Sequence, residues 1–193
     1  MDLQHVNVKF LVEGDLKVDP ARFIEVFHQW IRDETLEELL IDVADYRHVP
    51  SGPGVMLIAL EADYSMDHAD NRWGLRYNRK APLDGANEDR FRQALRSAAN
   101  ACRLLEDEFV GTDGLKFNRR EFELFINDRA VAPNTPETWA ACQPELSTFV
   151  ERMLGHGDFS LEQHQDRRAR FGVTVAAARP FDLMTIPNLP PES

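Results

Sequence analysis

Cysteine is almost absent from this chain, which contains only Cys102 and Cys142 among 193 residues. Disulfide-dependent domains carry many more cysteines, and structural zinc sites need them in closely spaced pairs. Both residues lie among apolar neighbours in predicted helices, which is typical of buried free thiols. The cysteine content therefore argues against a disulfide scaffold and gives no cysteine-based metal site.

Long apolar runs are missing as well. No stretch approaches the roughly 20 apolar residues that a membrane-spanning helix requires. The opening segment, MDLQHVNVKF, lacks the basic region and the apolar run of a signal peptide. We therefore expect a soluble cytoplasmic protein with no membrane association.

Positive charge is scarce, because 22 Lys and Arg residues oppose 33 Asp and Glu residues and the net charge is −11. Binding to nucleic-acid phosphates requires a concentrated positive surface, so a nucleic-acid partner is not expected. The length and the hydrophobic content of 43% are ordinary for a globular domain that buries its own core.

The spacing of apolar residues predicts an α+β fold. The element order is strand, helix, three-strand meander, helix, strand, helix. This order predicts a mixed sheet of five or six strands with three helices packed on it. The helices are expected at residues 20–34, 88–106 and 136–154, and Pro144 is expected to kink or split the third.

The meander occupies residues 39–80, which form the organising centre of the predicted fold. Its strands are expected at residues 39–49, 55–63 and 72–80, and the turn at residues 50–54 contains two prolines and two glycines. The second strand begins apolar on both faces, which predicts a central position in the sheet. Strand and helix periodicity together predict a core of Phe10, Phe27, Trp30, Ile41, Val43, Ile58, Leu60, Leu95, Cys102, Phe122, Leu124 and Phe149.

Two segments divide the chain. Residues 1–155 are predicted to form a single α+β globular domain. Residues 156–193 are predicted to form a C-terminal extension with one strand at about 170–178 and a Pro-rich tail. The tail contains more apolar residues than a solubilising segment needs, so the extension is a candidate surface for a protein partner or for self-association. Those residues are Phe181, Leu183, Met184, Ile186 and Leu189.

Polar residues gather on the meander where its second strand stops being apolar, at Glu61. We expect the cover over that strand to end there, which would leave a rim that carries both charge signs, a phenol and an imidazole. Such a set suits a polar ligand, although it would equally suit an open sheet edge stabilised by cross-strand ion pairs. The predicted ligand-binding residues are Asp45, His48, Glu61, Asp63, Arg76, Tyr77 and Arg79.

No sequence motif names a reaction, since the phosphate-binding, zinc-protease and nucleophile-elbow patterns are all missing. We interpret the chain as a binding or interaction module without catalytic activity. The alternative is a small metal-assisted or acid–base hydrolytic enzyme, because carboxylates bind hard cations and histidine adds transition metals. That enzyme would use Asp42, Asp45, His48, Glu61 and Asp63. Neither interpretation assigns a cofactor, a metal or a substrate.

Overall fold

The structure is a computed structural model that describes residues 1–111 and 114–186. In these residues the chain forms eight strands, three α-helices and a one-turn 3₁₀ helix at Ala69–Asn71. In chain order the main elements are β1 (Val6–Val12), α1 (Arg22–Arg32), β2 (Leu40–Tyr46), β3 (Gly54–Ala59), β4 (Ala62–Asp67), β5 (Gly74–Arg79), α2 (Asn87–Glu108), β6 (Phe117–Ile126), α3 (Pro136–Leu154), β7 (Phe159–Gln163) and β8 (Phe171–Ala177).

All eight strands belong to one sheet with the order β2-β3-β4-β5-β1-β6-β8-β7, and every neighbouring pair is antiparallel. The α+β class is confirmed. The predicted number of five or six strands is wrong, and the sheet is antiparallel rather than mixed.

The additional strands are β4 and β7. The sequence did not predict β4 as a separate strand, because the chain reverses at Leu60-Glu61. This turn lacks the glycine or asparagine that usually marks a hairpin. Ala62, Tyr64 and Met66 then alternate with polar residues, which is the pattern of a strand with one apolar face. The turn between β2 and β3 lies where it was predicted, since β2 ends at Tyr46 and β3 begins at Gly54. Gly54 has a φ of +66°, and an added Cβ would lie 2.0 Å from the Met66 carbonyl oxygen, so this position requires glycine.

The three helices begin and end close to their predicted positions. The Asp19 carboxylate accepts a hydrogen bond from the Ala21 N–H at 2.9 Å before α1, and Thr135 Oγ1 caps α3 by accepting from the Thr138 N–H at 3.3 Å. Pro144 lies inside α3, which continues past it to Leu154, so the helix is not split. Within the described residues, no helix has the length and apolar character needed to cross a membrane.

The helices cover one face of the sheet. Phe23 of α1 contacts Phe109 at the end of α2, and Phe91 of α2 contacts Phe149 of α3, so the helices form one layer. We call the other face the open face, because the core cluster that contains the helix residues includes Val8, Phe10, Tyr64 and Leu124 but none of their neighbours along the strands. Since side chains alternate along each strand, the helix-covered face carries the apolar core and the open face carries polar residues.

Most of the predicted core is buried on the helix-covered side, but Ile41 and Leu60 are exposed by 54% and 61%. Ile41 lies on the edge strand β2, beside a register shift, and Leu60 lies in the β3–β4 turn. Val43 and Ile58 are only partly buried. The buried members are Phe10, Phe27, Trp30, Leu95, Cys102, Phe122, Leu124 and Phe149.

The segment after residue 155 contributes two strands, β7 and β8, where one was predicted. β8 lies between β6 and β7 in the sheet. The Phe181 ring packs on Phe10 and Phe122, with centroids 6.0 and 5.8 Å away, and Leu183 and Ile186 are also buried. Much of the apolar tail therefore packs on the domain itself. The end of the predicted tail, residues 187–193, lies outside the described residues.

Two neighbouring leucines test the position of the β3–β4 turn. Leu57 is fully buried and Leu60 is largely exposed. We expect Leu57→Ala to lower the free energy of unfolding by about 2–5 kcal/mol, because it leaves a cavity in the core. The matched control Leu60→Ala should change it by less than about 0.5 kcal/mol. Chemical denaturation of both variants measures this, and equal losses would contradict the assigned turn.

Candidate functional site

A cavity of about 580 Å³ opens on the helix-covered side of the sheet, beside α2. We call it the groove. Its walls come from the α1–β2 connection, the β3–β4 turn, the end of β5 and one side of α2. The lining residues are Glu37, Glu38, Leu39, Leu60, Glu61, Arg79, Asp89, Arg92, Gln93, Arg96 and Ser97.

Two buried tyrosines from adjacent strands contact the groove residues by hydrogen bonds. The rings of Tyr64 and Tyr77 meet edge to face with centroids 5.1 Å apart. Gln93 Nε2 donates to the Tyr77 hydroxyl at 2.7 Å and to Ser97 Oγ at 3.2 Å. Ser97 Oγ donates to Glu38 Oε1 at 3.1 Å, and both residues lie close enough to the Tyr64 hydroxyl to influence its pKa. A continuous polar network therefore runs from the core to the groove.

Burial is the main reason why the pKa of Tyr64 and the pKa of Tyr77 are raised above the ordinary value of a phenol. The negative charge of Glu38 raises the pKa of both residues further. Both phenols therefore stay protonated at neutral pH, so each retains a hydroxyl proton to donate.

The arginines that line the groove are each paired with a carboxylate: Arg79 with Glu61 at 3.0 Å, Arg92 with Asp89 at 2.8 Å, and Arg96 with Glu37. None of the ion pairs described for residues 1–111 and 114–186 includes Glu38. Its hydrogen-bond partner Ser97 is a neutral group. Among the residues that the structure describes, the Glu38 carboxylate therefore has no direct cationic partner.

The open face carries a second polar group, which we call the charge cluster: Lys9, Asp67 and Arg76. Lys9 and Asp67 are almost completely buried, and Lys9 Nζ donates to Asp67 Oδ1 at 2.8 Å. Arg76 Nη1 pairs with Asp67 Oδ2, also at 2.8 Å. Burial lowers the pKa of Lys9, an effect that the Asp67 charge opposes. One carboxylate thus serves two cations beneath the surface of the sheet.

The structure distributes the seven predicted ligand residues over three places. Glu61 and Arg79 line the groove, and the Tyr77 hydroxyl accepts from a groove residue. Asp63 and Arg76 lie on the open face, where Asp63 pairs with Lys80 at 2.7 Å. The predicted single rim is therefore not present as one cluster, because alternate residues of β5 point to opposite faces.

Asp45 and His48 occupy the third place, at the exposed end of β2 and in the following turn. Hydrogen bonds from Arg47 lower the pKa of Asp45 to about 2. β3 separates this end of the hairpin from Glu61, so the histidine and carboxylates suggested for an enzyme do not converge. Within the described residues, no group of three or more His, Cys, Asp or Glu side chains is placed to hold a metal ion.

Sequence reasoning missed the contributions of Glu38, Tyr64, Gln93 and Ser97 to the groove. A partial signal was present, since Gln93 and Ser97 are four residues apart on a helix and therefore share a face. Their meeting with Glu38 depends on how α2 packs against the sheet. No protein-family model and no curated protein matches the chain.

The buried phenol of Tyr64 predicts a loss of stability at high pH. Because its pKa is raised in the folded protein, its contribution is present below the unfolded value of 10.0 and is lost as pH rises above it. We expect the unfolding free energy of the wild type to fall more steeply than that of Tyr64→Phe, by up to about 1.4 kcal/mol per pH unit. Denaturation between about pH 9 and 11 measures the two slopes.

Tyr46→Phe is the matched control, since Tyr46 is partly exposed on β2. It should keep the steep slope of the wild type. Equal slopes for the wild type and Tyr64→Phe would contradict the buried, charge-facing position of Tyr64.

The buried Lys9–Asp67 pair leads to another prediction about stability. Asp67→Asn should lower the unfolding free energy by about 3–5 kcal/mol, because it leaves a buried cation without its counter-charge. Asp45→Asn is the control, since it removes an exposed pair with Arg47 and should cost less than about 1 kcal/mol. Urea denaturation of both variants gives the comparison, and similar small losses would contradict a buried pair.

Proposed function

We propose that the protein is a binding module without catalytic activity, and that the groove takes a small hydroxylated amine. The observation that carries this proposal is the Glu38 carboxylate, which lies in the groove and accepts a hydrogen bond from the neutral Ser97 hydroxyl, while the neighbouring arginines are paired with other carboxylates. A ligand ammonium would supply its missing counter-charge.

The size and lining of the groove support a small ligand. A volume of about 580 Å³ lies within the usual range for small-molecule sites, and such sites hold their ligands through a few convergent polar groups. Ser97 and Gln93 line the groove next to Glu38 and supply a hydroxyl group and an amide group. Hydroxyl groups on the ligand would match these donors and acceptors.

The protonation state of the two buried tyrosines argues against their use as general bases. A phenol with a raised pKa is a stable hydrogen-bond donor and a poor general base at neutral pH. The alternative, an acid–base enzyme that uses Asp45, His48 and Glu61 together, has less support because these residues lie at opposite ends of β3.

A thermal-shift titration tests the proposal with paired probes. Glucosamine and ethanolamine carry the amine, while glucose and ethylene glycol carry hydroxyl groups without it. We expect the amines to raise the melting temperature more than the neutral probes, because a ligand that binds only the folded state stabilises it. Loss of the charge-assisted contact in Glu38→Gln should weaken amine affinity by about tenfold or more.

Glu108→Gln is the matched control. The substitution removes the same charge as Glu38→Gln, and Glu108 is exposed at the far end of α2. It should keep the wild-type response. The proposal is wrong if no amine gives a larger shift than its neutral counterpart, or if Glu38→Gln responds as the wild type does.

A further inference from the structure

The open face contains an arginine without a carboxylate partner. Arg170, just before β8, forms none of the ion pairs described in residues 1–111 and 114–186. With the Asn7 amide oriented to suit its neighbours, the Asn7 side-chain oxygen accepts from Arg170 Nη1 at 3.2 Å. The positive charge of Arg170 is therefore held mainly by neutral groups on a partly buried surface.

Arg76 and Arg170 both contact the ring of Phe125. Their guanidinium carbons lie 5.0 and 5.4 Å from the ring centroid, which is within the range of cation–π attraction. Gly172 leaves room for this ring, because an added Cβ would lie 2.8 Å from Phe125 Cδ1 and 2.7 Å from His164 Nδ1. Two positively charged side chains therefore contact the same ring on the open face.

The nearby carboxylate does not neutralise both arginines. Asp67 already pairs with Lys9 at 2.8 Å and with Arg76 at 2.8 Å. Arg76 Nε is buried and has no hydrogen-bond partner. Burial lowers the pKa of Arg170, the charges of Arg76 and Arg129 lower it further, and Asp67 raises it. The region consequently has more positive charge than its own carboxylates balance.

Two glutamates and one further arginine surround this place. The four cations Lys9, Arg72, Arg76 and Arg170 therefore face the three carboxylates of Asp67, Glu121 and Glu123, and one positive charge remains in excess. Glu123 and Glu121 pair with Arg72, at 3.6 and 2.8 Å. His164 lies edge-on to Phe125 and its Nε2 is 2.9 Å from Thr174 Oγ1. Glu121 and Glu123 are therefore paired with Arg72 and not with Arg76 or Arg170.

We propose that Arg170 and Arg76, both in contact with the Phe125 ring, bind an oxyanion: the phosphate or carboxylate group of a small ligand. Guanidinium groups match the oxygens of both anions, and a charge-assisted contact is strongest where water is partly excluded. This anion site lies on the face opposite the groove and does not rest on the proposed amine ligand.

Calorimetric titration with inorganic phosphate and with acetate tests the proposal at low ionic strength. Sodium chloride at equal ionic strength corrects for general screening. We expect at least one of the two oxyanions to bind beyond the chloride effect, and Arg170→Gln to weaken that binding by about ten- to a hundredfold. The stronger of the two probes identifies which anion the site prefers.

Two controls separate the anion site from other surfaces. Arg168→Gln removes an exposed positive charge two positions away and should keep wild-type affinity, as should Glu38→Gln in the groove. Without added oxyanion, Arg170→Gln should melt at the wild-type temperature or above it, because it removes a partly buried charge that lacks a counter-charge. If that variant does not fold, Arg170→Lys replaces it, since lysine keeps the charge and loses the planar fork.

The proposal is overturned if neither oxyanion binds beyond chloride. It is also overturned if the Arg170 variant binds as tightly as the wild type. An unchanged phosphate response in Glu38→Gln, together with its loss in Arg170→Gln, would support the anion site whatever the groove binds.

Discussion

The buried pair between Lys9 and Asp67 is the constraint on which the middle of the structure depends. Lys9 lies on the central strand β1, and its Nζ also donates to the carbonyl oxygens of Ala69 and Arg72, at 3.3 and 2.7 Å. A buried ammonium is costly unless it is paired and hydrogen-bonded. The end of β4 and the connection to β5 must therefore fold over Lys9 in one arrangement.

This constraint also sets the charge balance of the open face. Because Asp67 pairs with both Lys9 and Arg76, it is not free to pair with Arg170. Both arginines contact the Phe125 ring, which has no charge to neutralise them. The positive region is thus a local consequence of how one carboxylate is shared, in a chain whose net charge is −11.

The two faces of the sheet have opposite chemistry because the side chains of each strand alternate. Asp63, Ser65 and Asp67 of β4 face the open side, whereas Tyr64 and Met66 face the helices. On the helix-covered side a polar network runs from Tyr77, which the Tyr64 ring contacts, through Gln93 and Ser97 to Glu38 in the groove. One strand therefore contributes to both candidate sites, and neither site is visible from the overall charge.

The sequence by itself determined the class of fold, the three helices, six of the eight strands and most of the core. These features depend on local periodicity and on caps such as Asp19 and Thr135, which act over a few residues. It also led to the prediction that polar residues of the meander bind a ligand. It did not reveal the turn at Leu60-Glu61, because that turn carries no residue typical of a hairpin.

Only the tertiary structure decided which polar residues meet. Glu38 and Ser97 are 59 positions apart in the chain, and Phe125 reaches Arg76 and Arg170 from a third strand. Such contacts depend on strand order and on the packing of α2, and no local pattern encodes either. Asp63 and Arg76 were predicted as ligand residues together with Glu61 and Arg79, but the alternation of strand faces separates them from the groove that Glu61 and Arg79 line.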